Sequence, residues 1–471
     1  MQVSEKDYQF YFFFLTIFSN LTLTSIHKFY MEKYDVFPDT GFLPREFPLE
    51  KLPQAYYQPW EDLVNNLPAL ILSKKIRPLI DQLPKLDTNQ LTNEREYRRA
   101  YQVLGFLTQA YIWGVNEPRD KLPVQLSEPM LAVADHLRLP PLATYASLCL
   151  WNFKPIMKTG ENIWDLDNLT TINTFTGSID ESWFYLVSIF FEMKGSFAIK
   201  AGMAAIEGTQ EDNPAKVQTS LENLAESIDV LGLEMMRMEE MCDPHVFYFR
   251  IRPYFAGWKN MGDAGLSKGG IFYEPETTPR AYAGGSNAQS SLIQLFDILL
   301  GVKHYSTGER PLPTSQDATE GPENAFMDEM KGYMPGKHQD FLQKVQQDAK
   351  IREYVFAHKD THPALVLSYD ACLAMLKLFR DKHIQIVTRY IVLQAKSSAK
   401  MGSSMTLRSG LAKSKKSGSE AKGTGGTALL PFLKQCRDET GAPAAGDWGK
   451  RILSDGVMRL RFAKSNAINE D

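Results

Sequence analysis

The chain has 471 residues, 44% of them hydrophobic, with a formal net charge of -4. That is material for a large core, its length favours two domains over one, and the near-balance of charge excludes nucleic acid as an expected partner. The four cysteines, Cys149, Cys242, Cys372 and Cys436, are far apart and form no CxxC pair, which excludes a zinc ribbon or a secreted disulfide framework and points to a reducing, cytoplasmic setting.

The chain opens on an apolar stretch. No charge appears between Tyr8 and Ile26, and YFFFLTIF lies within it, so a signal peptide or membrane anchor has to be weighed. The leader MQVSEKD is not basic, and Gln9, Thr16, Ser19, Asn20, Thr22, Thr24 and Ser25 interrupt the run. Residues 1–36 therefore read as a dispensable extension, with an alternative start at Met31, and no membrane association is expected.

Residues 37–53, FPDTGFLPREFPLEKLP, form an extended lead-in by their proline content. Helical periodicity then predicts helices at Trp60–Ser73, Ile76–Leu83 and Glu94–Trp113; LRLPPL at 137–142 stops the pattern, and Tyr145–Phe153 restarts it. Strand-like alternation is scarce. The expected fold class is all-α, with a small domain at 37–173 and a larger helical one at 174–471.

The larger part begins with Trp183–Lys200, apolar all round and so predicted as a central helix, and continues with a polar helix around Thr219–Glu240. CDPHVFYFRIRPYFAGWK is ambiguous. Period two collects Phe247, Phe249 and Ile251, whereas helical spacing collects Phe247, Ile251, Tyr254, Phe255 and Trp258. Residues 281–301, AYAGGSNAQSSLIQLFDILLG, read as a Gly-Gly turn feeding a capped helix, without the lysine or spacing of a phosphate loop. A loop follows at 306–324, and EMKGYMPGKHQDFLQKV returns to helix.

Between Thr361 and Gln394 the apolar residues Cys372, Leu376, Phe379, Ile386, Val387 and Tyr390 recur three or four apart, predicting one long helix with a buried stripe. His383 lies on that stripe and Arg380 one turn before it, at the border. A lone histidine on an apolar face is more often a core residue bonded to a carbonyl. The other reading is a metal-ligating imidazole beside a cation that serves an anion, and haem offers both partners. Residues 395–422, rich in Ser, Lys and Gly, are expected to be a mobile surface loop. GTGGT at 423–427 reads as a linker or a closing lid, and ALLPFLKQCRDE as a final helix.

The run RDKHIQIVTRYI, with AGGSNAQSS upstream and AKGTGGT downstream, resembles the indoleamine 2,3-dioxygenase family, haem enzymes of tryptophan catabolism. The resemblance extends from about residue 37 to 440. It implies that His383 is the proximal ligand of one haem b per chain, with Arg380 beside it and Asp297 supporting that side through Arg380. LPPLATYASLCLWNF looks like the segment lining the distal side, which carries over Tyr145, with Leu148 and Cys149 following; Cys149 reads as core. Phe184, Tyr185 and Ser188 match distal positions, and serine instead of histidine at 188 points away from the tryptophan 2,3-dioxygenases. The other reading of Ser188 is a hydroxyl bonded back to its own helix.

By the same resemblance Phe247 packs against the substrate ring and Arg252 clamps its carboxylate, a role suited to a planar fork that donates two parallel hydrogen bonds. Arg250 competes for that role, and the spacing to GWK selects Arg252; without the resemblance both arginines read as surface charges. Gly284, Gly285 and Ser286 let the backbone approach haem and substrate, and Thr424 closes near the carboxylate. The chain departs from the animal enzymes at Asn287, where alanine is expected, at Tyr185 and Tyr248, where phenylalanine is expected, and at Leu148, where cysteine is expected. These changes put affinity and selectivity in question, not the chemistry.

The implied activity is cleavage of the indole C2=C3 bond of L-tryptophan by O2 to give N-formylkynurenine, the first step of the kynurenine pathway. Both oxygen atoms stay in the product, so no distal acid or base is required. An electron donor that keeps the haem ferrous and a monomeric state are also expected. A haem O2 carrier or sensor, or a low-activity relative, are the alternatives; a carboxylate clamp at Arg252 favours catalysis.

Overall fold

A computed structural model describes residues 31–306, 324–401 and 429–453, apart from 116, 160–162, 267 and 448. The chain is predominantly helical, as its periodicity predicts. Among the described residues the strands form two short pairs: β1 (Lys121–Leu122) runs parallel to β4 (Phe272–Tyr273), and β2 (Phe153–Pro155) runs antiparallel to β3 (Leu169–Thr171).

Local sequence sets several helix starts. α1 (Glu94–Trp113) is capped by Asn93, whose side chain accepts from the Glu96 N–H, and Glu94 and Glu96 place negative charge in the first turn. α2 (Val124–Leu137) carries Pro129 inside it, and no helix is predicted there from the sequence. Ser178 caps α3 (Ile179–Gln210) by accepting from the Glu181 N–H. α4 (Pro214–Met236) has Asn213 as its cap and proline at its first position. α5 (Ser291–Leu300), α6 (Gly336–Asp348) and α7 (Pro363–Val387) follow.

Two expectations differ in detail. The predicted helix at Trp60–Ser73 is split at Asn66 into Gln58–Asn65 and Leu67–Leu72, where Pro68 lacks the N–H a continuous helix would use. The long C-terminal helix widens into a π-turn at Thr388–Val392 and continues as α8 (Leu393–Met401) into the stretch expected as loop from 395. α9 (Leu429–Glu439) is the predicted final helix; residues 402–428 lie outside the described residues.

Among the described residues two hydrophobic clusters make the interior, and both α3 and α7 contribute to each. Trp183 to Phe190 of α3 pack in one cluster and Phe191 to Ile206 in the other. On α7, Leu365 to Phe379 belong to the second cluster, while Ile386, with Tyr390 just beyond, belongs to the first. Ser188 and His383 therefore sit at the seam where the two clusters meet. Side chains there cannot be buried wholly by either one, which is the usual place for a cavity. Among the described residues no helix is long and apolar enough to cross a membrane, and the apolar stretch at 8–26 lies outside them.

Candidate active site

The seam contains a cavity with about 260 Å³ of room for water centres, far more than the ~10–15 Å³ that one water needs. Its wall is mainly apolar and includes Tyr145, Phe184, Ser188, Phe247, Arg252, Gly285, Ser286, Arg380 and His383. The structure thus brings together, around one space, most of the residues expected at the site; Tyr185, Gly284 and Asp297 are not among the lining residues. Asp297 stands behind Arg380 and does not itself line the wall, and Thr424 lies outside the described residues.

Three π-helical turns, each closed by i→i+5 bonds, contribute to the wall. Ala146–Leu150 presents Leu148 and Cys149, Phe247–Ile251 presents Phe247 ahead of Arg252, and Thr388–Val392 presents Tyr390. The ambiguous segment around Phe247 is therefore helical, as a short helix, a π-turn and a 3-10 turn in succession. Cys149, expected as plain core, is buried and also faces the cavity.

An aromatic cluster forms one wall. The Phe184 ring lies 4.9 Å from that of Phe247 and 5.4 Å from that of Phe255, and Tyr390 meets Phe247 edge-on at 5.8 Å. Such offset and edge-on rings form a rigid surface suited to another flat ring. Ser188 serves both readings given for it: it borders the cavity, and its hydroxyl donates to the Phe184 carbonyl at 3.2 Å.

Arg252 is 2% exposed, and its guanidinium lies over the Tyr248 ring at 5.3 Å. Burial draws its pKa down to about 10, so it remains a cation at neutral pH. Arg250 points to solvent, which separates the two candidates. Tyr185 does not reach the cavity, because its hydroxyl donates to Glu181 at 3.0 Å; Leu148 and Asn287 are the two departures that do.

The glycine turn is held by a residue the sequence did not single out. Gln289, buried, donates to the Gly284 carbonyl at 2.9 Å and accepts from the Tyr145 N–H at 2.9 Å. Gly284 packs against the backbone of Phe255–Gly257, so a side chain is excluded there. Above it Tyr145 donates to Glu192 at 3.0 Å, and Ser290 donates to the same oxygen at 2.5 Å. Glu192 is fully buried, and burial lifts its pKa to about 7. A carboxylate inside the all-apolar run of α3 was the available signal for it.

His383 also lines the cavity, and among the described residues neither ring nitrogen has a hydrogen-bond partner. Burial, with Arg380 nearby, lowers its pKa to about 4, so the imidazole is neutral and keeps a lone pair. Arg380 donates to both oxygens of Asp297, at 2.6 and 2.8 Å, and to the Thr440 hydroxyl. His304 borders the cavity too. It touches Asp297 at 3.1 Å and Glu439 at 2.7 Å, and no sequence pattern marks it. α9 completes the wall with Leu429, Phe432, Leu433 and Cys436.

Comparison with known proteins agrees with this construction. Residues 30–443 match the sequence model of the family described as indoleamine 2,3-dioxygenase. The chain is 46% identical over 432 residues to indoleamine 2,3-dioxygenase of Saccharomyces cerevisiae, covering 88% of this chain and 93% of that protein. It is 35% identical over 411 residues to 6-hydroxytryptophan 2,3-dioxygenase of Fusarium equiseti, covering 87% and 96%. To indoleamine 2,3-dioxygenase 1 of Rattus norvegicus it is 33% identical over 413 residues, covering 87% and 94%. From fold, cavity and sequence together, the chain belongs to the indoleamine 2,3-dioxygenase family.

Proposed function

We propose that this chain is a haem b dioxygenase that opens the indole C2=C3 bond of L-tryptophan with O2, giving N-formylkynurenine. The observation that carries the reading is that one largely apolar cavity is lined by both a neutral imidazole, His383, without a hydrogen-bond partner among the described residues, and a buried cation, Arg252.

The donor set fits haem. An imidazole without a hydrogen-bond partner is a poor core residue and a good iron ligand, and Arg380 beside it supplies positive charge for propionate. His383, Arg380, Ser286, Gly285, Phe184 and Tyr145 would hold the group, with Asp297 orienting Arg380. When bound, haem supplies the ferrous iron that activates O2.

The protein's own contribution is positioning. Phe184 and Phe247 offer aromatic faces against which an indole packs, and Arg252 offers a fork for an amino-acid carboxylate, aided by Thr424. Together these fix the ring's approach, converting an encounter into an oriented reaction. Because both oxygen atoms remain in the product, no proton has to be moved at the substrate, and the Ser188 hydroxyl, committed to the Phe184 carbonyl, suffices on that wall. The apolar side chains of α9 at Leu429, Phe432 and Leu433 help exclude water. The 37–173 unit contributes the Tyr145 side, and the 174–471 unit the remainder.

A cytoplasmic monomer served by an electron donor completes the proposal. Aerobic turnover of L-tryptophan by the reduced protein tests it, followed as growth of formylkynurenine absorbance. A protein with a normal Soret band and no product would instead be an O2 carrier or sensor. Since one relative is named for 6-hydroxytryptophan, ring-hydroxylated tryptophans belong in the same assay, with Asn287 and Leu148 as the wall residues that would decide between them.

A further inference from the structure

We propose that His304 is a positioning residue of the site: it joins Arg380 on α7 to α9, so that the helix closing the cavity and the cation beside His383 are set as one unit. The inference goes beyond the dioxygenase reading and depends on it only where haem is measured.

His304 lies between two buried carboxylates. Its Nε2 is 3.1 Å from Asp297 Oδ2 and its Nδ1 is 2.7 Å from Glu439 Oε2, with the side chain 6% exposed. Carboxylates only accept, so holding both requires both ring nitrogens to donate, which makes the ring an imidazolium. The electrostatics agree: burial alone would lower its pKa, but Asp297, Cys436 and Glu439 together raise it well above the ordinary value.

The cluster is balanced. Arg380 and His304 approach to 3.3 Å, a separation two cations hold only when each is compensated, and Asp297 and Glu439 supply that compensation. Among the described residues His304 alone hydrogen-bonds both carboxylates. Glu439 in turn accepts from the Tyr305 N–H at 3.2 Å and from Gln435 at 2.7 Å, and Arg380 donates to Thr440. The C-terminal end of α9 is thereby fixed to the segment after α5 and to α7. Without the imidazolium, Asp297 and Glu439 would lose the cation they share, leaving the bonds of Arg380 to Thr440 and the Cys436 carbonyl and of Arg437 to Asp381 to hold α9 against α7.

A metal ion is the competing use of these groups, since donor atoms of His304, Cys436 and Glu439 lie within 4.8 Å of one another. The 2.7 Å nitrogen-to-oxygen separation is a hydrogen-bond length, shorter than the about 3.3 Å that two ligands on a tetrahedral zinc would keep.

The test uses the purified full chain and the variants His304→Gln, Glu439→Gln, their double and His304→Lys. Hydrogen exchange of peptides covering 429–439 is compared with peptides from α4. Expected is exchange about tenfold faster at 429–439 in each neutral single variant, no further gain in the double, little change at α4, and substantial recovery in His304→Lys. Haem transfer to excess apomyoglobin should quicken in the same order. Unchanged exchange at 429–439, equal acceleration throughout the chain, or one zinc per wild-type chain that His304→Gln loses would each overturn the proposal. If His304→Gln does not fold, Glu439→Gln and His304→Lys decide it alone. A wild type that takes up no haem would sink the dioxygenase reading while the exchange result still judged His304.

Discussion

The guanidinium of Arg252 rests 5.3 Å from the centre of the Tyr248 ring, so the side chain that reaches the cavity has an aromatic face beneath it. Stacking keeps the fork's plane fixed without consuming its N–H groups. Arg252→Lys should therefore lower kcat/KM for L-tryptophan by ~100-fold, about 2.7 kcal/mol, because a point charge replaces the fork. The Soret band should be unchanged. Tyr248→Phe keeps the ring face and should stay within about threefold of wild type. Steady-state kinetics measure both, and an Arg252→Lys enzyme within twofold of wild type would refute the clamp.

His383→Ala removes the neutral imidazole from the wall and leaves Arg380 in place. The purified variant should be largely colourless where the wild type is red, while its far-ultraviolet circular dichroism stays helical. Spectra recorded before and after addition of hemin decide it; full Soret absorbance in the variant would move the iron ligand elsewhere.

Adjacent glycines should respond differently to alanine. A Cβ at Gly284 collides with the backbone carbonyl of Phe255, which cannot yield, so Gly284→Ala should cost at least ~2 kcal/mol of stability, seen in urea melts. At Gly285 the nearest atom is the end of the Leu148 side chain, at 2.7 Å. Leu148 can rotate, but into the cavity, so Gly285→Ala should fold and show a raised KM. Equal stability losses in the two variants would contradict this.

Burial raises the Glu192 pKa from 4.5 to about 7, only partly offset by Ser290 and Tyr145. Between those values the fold keeps the proton and the unfolded chain releases it, so stability falls as pH rises from about 4.5 to about 7, by roughly 3 kcal/mol, and levels off beyond. Glu192→Gln has no proton to lose. Its advantage over wild type should be larger at pH 8 than at pH 5 by about that amount, as measured by urea melts at the two values. A constant difference would show that Glu192 does not titrate in this range.

Local pattern reaches one part of the site, and the remaining expected residues come with the family resemblance. Helical periodicity alone puts Arg380 and His383 one turn apart on α7 and makes Trp183–Lys200 an inward helix, because side chains three or four apart share a face whatever surrounds them. The same periodicity predicts a mainly helical chain. Which of Arg250 and Arg252 is buried, that Tyr185 turns to Glu181 while Leu148 and Asn287 meet the cavity, and that the long helix widens at Thr388–Val392 depend on partners far along the chain. His304 shows this most clearly: its carboxylates come from residues 297 and 439, and only the packing of α9 against α7 brings them to one imidazole. Periodicity assigns a residue to a face; what that face meets is decided by which helices pack across it.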